Sequence, residues 1–366
     1  MTPLGRDIAA LIAAEGPISV ARYMALCLGH PRHGYYMTRD PFGEAGDFIT
    51  APEISQMFGE LIGLWCADTW GRLGAPARLR LVELGPGRGT LMADALRAAR
   101  VLPAFRAALD VHLVETSPVL RERQRRTLAG ANIEPTWHDD VSTLPAGPML
   151  VVANEFFDAL PLRQFVRTPR GWCERLVGLG ADDRLAIGLS PEPEPALTLA
   201  APEGAVLEVA EASAALMRRL AARIAREGGA LLAIDYGHAA SGLGDTLQAV
   251  KGHRFVDPLA EPGEADLTVH VDFAALARVA RAEGAAVFGP TTQGSFLEAL
   301  GLSARAAVLK RAPTADAAGI DAAVSRLAGT GAEDMGALFK AIAVTQPGLD
   351  GVAGFDSPVP AADPRA

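Results

Sequence analysis

The residues with chemical potential in this chain fall in short clusters, each just after an apolar run. The first is Glu83-Leu84-Gly85-Pro86-Gly87-Arg88-Gly89-Thr90, which follows Leu79-Arg80-Leu81-Val82. Glycines at 85, 87 and 89 permit turns closed to residues with a Cβ and let main-chain amides approach a ligand. The dinucleotide fingerprint needs glycine at the first, third and sixth places. Counting from Gly85 the sixth place is Thr90, which disfavours NAD. The other clusters are Glu115, the Asp139-Asp140 pair, Asn154-Glu155 with Asp158 shortly after, and Asp235. Carboxylates and amides of this kind suit the hydroxyls and cationic groups of a ligand. Three glycines alone also describe an ordinary turn, and carboxylates alone an ordinary wet surface.

The elements that hold these clusters explain why they belong together. Apolar runs at Leu79 to Leu84, Asp110 to Val114, Ile133 to Thr136, Met149 to Ala153 and Ala230 to Ile234 read as strands separated by helical patterns. That alternation predicts an α/β fold with a mostly parallel, Rossmann-like sheet. In such a sheet ligands bind beyond the carboxyl ends of the strands, where all these clusters lie.

Upstream, residues 1–75 read as a helical lid region, with helices at Leu4 to Ala14 and Ser19 to Leu28 parted by Gly16-Pro17. Thr50-Ala51-Pro52-Glu53 has the form of a capping box opening a helix that runs to about Trp70, and its first amides suit an anionic group such as a cofactor carboxylate. Residues 76–346 are expected to form the sheet domain, interrupted at 161–205 by three short antiparallel strands: Gln164 to Thr168, Cys173 to Leu179 and Leu185 to Leu189. Helices are expected at Glu208 to Glu227, Phe273 to Glu283 and Gln293 to Arg311, and a last strand near Phe339 to Val344. Residues 347–366, rich in proline, glycine and aspartate, are expected to be a disordered tail.

Composition narrows the function. The 366 residues are 49% apolar and carry a formal net charge of −9, so there is no basic footprint for nucleic acid. Cys27, Cys66 and Cys173 are far apart and in no metal-ligand spacing, which argues against structural zinc and for a reducing compartment. His30 and His33 flank Pro31 without a nearby cysteine and read as surface histidines rather than a metal site. No run is long enough to span a membrane, and the N-terminus has neither a signal-peptide core nor an arginine-rich transit helix. A cytoplasmic, bacterial protein is expected.

Glu83-x-Gly85-x-Gly87-x-Gly89 resembles motif I of S-adenosylmethionine-dependent methyltransferases. Gly34-Tyr35-Tyr36, Gly46 to Gln56 followed by Phe58-Gly59-Glu60, Asn154 to Pro161, Asp235-Tyr236-Gly237 and Gln293 to Leu297 make the resemblance specific. The chain resembles the MidA family, the mitochondrial complex I assembly-factor methyltransferases and their bacterial relatives. The resemblance implies S-adenosyl-L-methionine as cofactor and a seven-stranded sheet with an antiparallel edge. It also implies symmetric dimethylation of an arginine on the 49-kDa-type, quinone-side core subunit of respiratory complex I, in support of its assembly. Glu83 would then lie by the methionine end, Glu115 on the ribose, and Asp139 or Asp140 on the adenine amino group. Asp47, Ser55 and Gln56 would belong to a lid over the methionine end. Methylating a guanidinium requires carboxylates that pair with its fork and localise its charge, work expected of Asn154, Glu155 and Asp158. A cofactor-binding assembly factor without turnover and a small-molecule methyltransferase stay open as alternatives.

Overall fold

A computed structural model describes residues 1–38, 50–331 and 334–355. The chain forms two compact units. One comprises residues 1–48, 158–215 and 241–270, and the other residues 49–157, 216–240 and 271–366. The expected boundary near residue 75 is therefore displaced. The helices after residue 50 belong to the sheet unit, and the N-terminal helices share a unit with the β insertion.

In the sheet unit seven strands carry the site: β1 (Leu79–Leu84), β2 (Leu109–Val114), β3 (Thr136–His138), β4 (Met149–Asn154), β5 (Gly229–His238), β6 (Ala286–Thr292) and β7 (Phe339–Thr345). Their spatial order is β6-β7-β5-β4-β1-β2-β3. Strands β3, β2, β1, β4 and β5 are parallel, and β7 runs antiparallel between β5 and β6. Chain order reverses between β1 and β4, and a crevice at such a reversal is where ligands bind in open α/β sheets. The near-continuous apolar composition of β4, and of β5 up to Ile234, follows from burial on both faces. Helices carrying Phe58, Trp65 and Phe296, with Phe105, cover the sheet and share one core with Leu81, Leu150 and Ala341.

In the other unit, helices Pro3–Glu15 and Val20–Gly29 pack Ile8, Tyr23 and Met24 against Val177 and Leu267. Its main sheet joins Ile18–Ser19, Gly171–Leu179, Arg163–Thr168 and Val206–Val209, with Leu185–Pro193 pairing the long central strand. A smaller sheet pairs Gln248–Lys251 with Arg254–Val256 and Asp266–Thr268.

Several elements differ from the sequence expectation. The strand expected at Ile133 to Thr136 begins at Thr136 and runs to His138, because Asn132 takes a left-handed conformation and Ile133 packs on the core from a loop. The helix expected at Glu208 to Glu227 starts at Glu211, its first residues being spent on the strand Val206–Val209. Gly301, at φ +97°, divides Gln293 to Arg311 into helices Gln293–Ala299 and Leu302–Leu309. An alanine-rich stretch without an assigned element is a helix, Ala317–Ala328, capped by Asp316. The expected disordered tail is in its first part packed: Val352 is buried and the Ala353 carbonyl accepts a hydrogen bond from Trp65 Nε1 at 3.1 Å. Residues 356–366 lie outside the described residues.

Candidate functional site

Strand β1 ends in the glycine turn, and the turn opens the helix Thr90–Ala98. Gly85 sits at φ +59°, and a Cβ there would lie 2.8 Å from the Phe156 ring. Gly89 caps the helix at φ +81° and brings no side chain to its free amides. A carbonyl within the turn is held from outside. Gln124 Nε2 donates to the Gly87 carbonyl at 2.8 Å and to Glu115 Oε2 at 3.1 Å, while Gln124 Oε1 accepts from Trp137 Nε1 at 2.8 Å. Sequence reading missed Gln124. The available signal was a polar side chain on the buried face of the helix Pro118–Leu128.

Glu83 is 3% exposed, and its Oε2 has no hydrogen-bond partner among the described residues. Burial pushes its carboxyl up to about 8. Asn154 Oδ1, at the end of the neighbouring strand, is likewise buried without a partner. Orphaned buried acceptors call for a donor, and a ligand ammonium such as the methionine amino group supplies one. Glu115 is buried at the end of β2, with Oε1 accepting from Ser117 N at 2.8 Å. Burial raises its carboxyl, and the Ser117 and Gln124 donors oppose that rise. Its oxygens retain lone pairs for further donors such as ribose hydroxyls.

The Asp139-Asp140 pair is separated by the structure. Asp139 is 81% exposed in its side chain and pairs with Arg121 at 2.6 Å, whose guanidinium also donates to the Glu115 carbonyl. Asp140 accepts from Ser142 N at 2.8 Å and pairs with Arg219 at 3.1 Å, which hold its carboxyl below the usual range. Asp140 is thus spent on a turn, and Asp139 is the member tied through Arg121 to Glu115. Of the expected lid residues, Asp47 lies outside the described residues. Ser55 Oγ caps the helix Gln56–Arg72 by accepting from Met57 N, and Gln56 Oε1 accepts from Arg97, so both are engaged in structure.

Past β4 the chain turns sharply. Glu155 adopts φ +49°, a left-handed conformation that costs a side chain with a Cβ about 1–2 kcal/mol. The turn is pinned by Asp235 at the heart of β5: Oδ2 accepts from Phe156 N at 3.1 Å and Phe157 N at 2.9 Å, and Oδ1 from Tyr236 N at 3.0 Å. Glu155 Oε1 accepts from Asn154 Nδ2 at 2.9 Å and from Ala51 N at 3.0 Å. Burial pushes its carboxyl up to about 7, against those two donors. The expected capping box therefore does not form. Thr50 makes no side-chain cap, and the helix ends after one turn, Ala51–Ile54, because Ser55 is fully extended at φ −160°. The first amide of that helix, expected to meet a cofactor carboxylate, is taken by Glu155.

Asn154 and Glu155 are thus brought together. Asp158 lies in the unit of the β insertion, where its carbonyl accepts from Val269 N at 3.0 Å. Its buried carboxylate faces Tyr36, whose hydroxyl donates to Asp266 Oδ1 at 2.8 Å.

A family model described as "putative S-adenosyl-L-methionine-dependent methyltransferase" matches residues 61–291. The mouse protein named "Protein arginine methyltransferase NDUFAF7, mitochondrial" is 41% identical over 335 residues, covering 84% of this chain and 76% of its own. The human protein of that name is 40% identical over the same shares. A Burkholderia thailandensis protein solved with S-adenosyl-homocysteine bound superposes with a TM-score of 0.85 at 32% identity, over 96% of this chain and 93% of that one. The expectation of a bacterial cytoplasmic location is overturned by the mitochondrial relatives. Among the described residues, no helix is long and apolar enough to cross a membrane. With its glycine turn, its reversal between β1 and β4 and its antiparallel β7, the chain belongs to this family of S-adenosyl-L-methionine-dependent methyltransferases.

Proposed function

We propose that this methyltransferase acts on a protein arginine, and that its target is the 49-kDa-type, quinone-side core subunit of respiratory complex I, dimethylated symmetrically before that subunit is buried in the complex. The observation that carries the arginine reading is Glu155: a carboxylate at the carboxyl end of β4, fixed by Ala51 N and Asn154 Nδ2 and held near neutrality. A guanidinium stays protonated at physiological pH and spreads its lone pairs over the fork. A fixed carboxylate pairs with that fork, turns one nitrogen outward and gathers the charge on the rest. The relatives named protein arginine methyltransferases support the same substrate class. The complex I target rests on the family resemblance.

Glu83, Gly85, Gly87, Gly89, Glu115 and Asp139 are the residues that would hold the cofactor, which supplies an electrophilic methyl group when bound. The protein's part is alignment: Glu155 presents the nucleophile, and Phe156 walls the turn beside Gly85 with the Phe157 ring packed edge to face against it. Incubation with radiolabelled S-adenosyl-L-methionine and a cell extract tests the reading. Label in protein, recovered as dimethylarginine after hydrolysis, is expected. Label in small molecules favours the small-molecule alternative, and cofactor binding without any transfer favours the assembly factor without turnover. Mass spectrometry of the core subunit from cells with and without the gene tests the target. An unchanged arginine there places the substrate elsewhere.

A further inference from the structure

We infer that Glu53 is a positioning residue of the cofactor site, a tether that fixes the glycine turn from outside. The inference rests on the cofactor reading and adds to it a residue that has no expected contact with ligand. In sequence Glu53 has the place of a capping-box glutamate folding back on its own helix. In the structure its carboxylate turns the other way. Oε1 accepts from the Thr90 hydroxyl, and Oε2 faces Arg88 Nη1 at 3.5 Å. Thr90 is the first residue of the helix that the turn opens, and Arg88 lies within the turn.

The turn needs such a tether. Glycines at 85, 87 and 89 give it the left-handed geometry a close-lying ligand requires, and they also leave it the greatest freedom to lose on ordering. Gly89 supplies no side-chain cap. Gln124 secures the Gly87 carbonyl on one side, and Glu53 secures the two residues on either side of Gly89. Both partners of the ion pair are largely shielded, with side-chain exposures of 22% for Arg88 and 19% for Glu53, so the contact is little weakened by solvent. The helix that carries Glu53 is itself anchored, Ala51 N to Glu155 Oε1 and Glu53 N to the Thr50 carbonyl at 2.9 Å. A single helical turn thus links the ligand-holding loop to Glu155.

The experiment is calorimetric titration of S-adenosyl-homocysteine into the full chain, its Glu53→Gln, Glu53→Ala and Thr90→Val variants and the Glu53→Ala/Thr90→Val double variant, with ligand-free unfolding curves beside them. Glu53→Ala is expected to weaken binding about tenfold, as for loss of one charge-assisted hydrogen bond. Glu53→Gln keeps an acceptor for Thr90 and is expected to lose less. The double variant is expected to bind no more weakly than Glu53→Ala, since both changes cut the same tether. Wild-type affinity in a folded Glu53→Ala protein overturns the inference, as do losses that simply add in the double variant. Should Glu53→Ala fail to fold, Thr90→Val decides, and unchanged affinity there overturns it as well. Failure of the wild-type chain to bind overturns instead the cofactor reading beneath it.

Discussion

Ionising Glu83 inside the sheet costs the folded protein what the unfolded chain never meets. Its carboxyl titrates at about 8 when folded against an ordinary 4.5, so between those values the folded chain keeps a proton that the unfolded chain releases. Stability from this group is complete below about 4.5 and declines as pH rises toward 8. Glu83→Gln is expected to unfold at higher urea than wild type at pH 8 and to lose that advantage near pH 5, while binding the cofactor less tightly. A pH-independent gap between the two would contradict the buried, partnerless geometry. Glu155 titrates nearer 7, raised chiefly by burial. A carboxylate that must be charged to hold a guanidinium gives turnover that rises with pH through about 7. Glu155→Gln is expected to lose that limb and about a hundredfold in rate, measured by methyl transfer across the pH range.

At the scale of elements, the glycine turn and the Asp235 pin make separate demands. Gly85→Ala forces a Cβ into a left-handed site and against Phe156, so it is expected to destabilise the ligand-free protein by about 2 kcal/mol and to weaken cofactor binding. Asp235→Ala strips acceptors from three main-chain amides, two just after β4 and one within β5, with an expected loss of about 3 kcal/mol or more in denaturant titrations. The turn was legible in sequence because an apolar run broken by Gly85, Gly87 and Gly89 has few other readings. The same is true of β4 and β5, whose burial on both faces writes itself into composition. The pin was not legible. Asp235 stood out as a carboxylate after an apolar run, but two of its three amides lie 78 and 79 positions away in sequence, so its role was not local. Glu53 and Gln124 escaped for the same reason, since their partners meet them only in the fold. Local pattern even misled at Thr50 to Glu53, where a capping box was spelled out and tertiary hydrogen bonds won.

For the molecule as a whole, composition was a poor guide to the C-terminal stretch. Proline, glycine and aspartate suggested disorder after residue 346, yet Val352 joins the core of the sheet unit and Phe355 lies 5.1 Å from the Phe296 ring, centroid to centroid. A chain stopped after Gln346 is expected to lose about 3 kcal/mol, the worth of one or two apolar side chains returned to water, and the Trp65 Nε1 acceptor with them. Thermal unfolding of that truncation checks it. An unchanged midpoint would mean these contacts add nothing.

The interleaving of the two units also bears on synthesis. The chain passes from one unit to the other after residues 48, 157, 215, 240 and 270, so neither is complete on a ribosome until late. The sheet waits longest: β7, the last strand to emerge, must enter between β5 and β6, both already made. Until then the apolar β5 has an open edge, the kind of edge that pairs with strands of other molecules. A nonsense codon just before residue 339 would therefore leave a product that aggregates, although every glycine and carboxylate of the rim has already been translated.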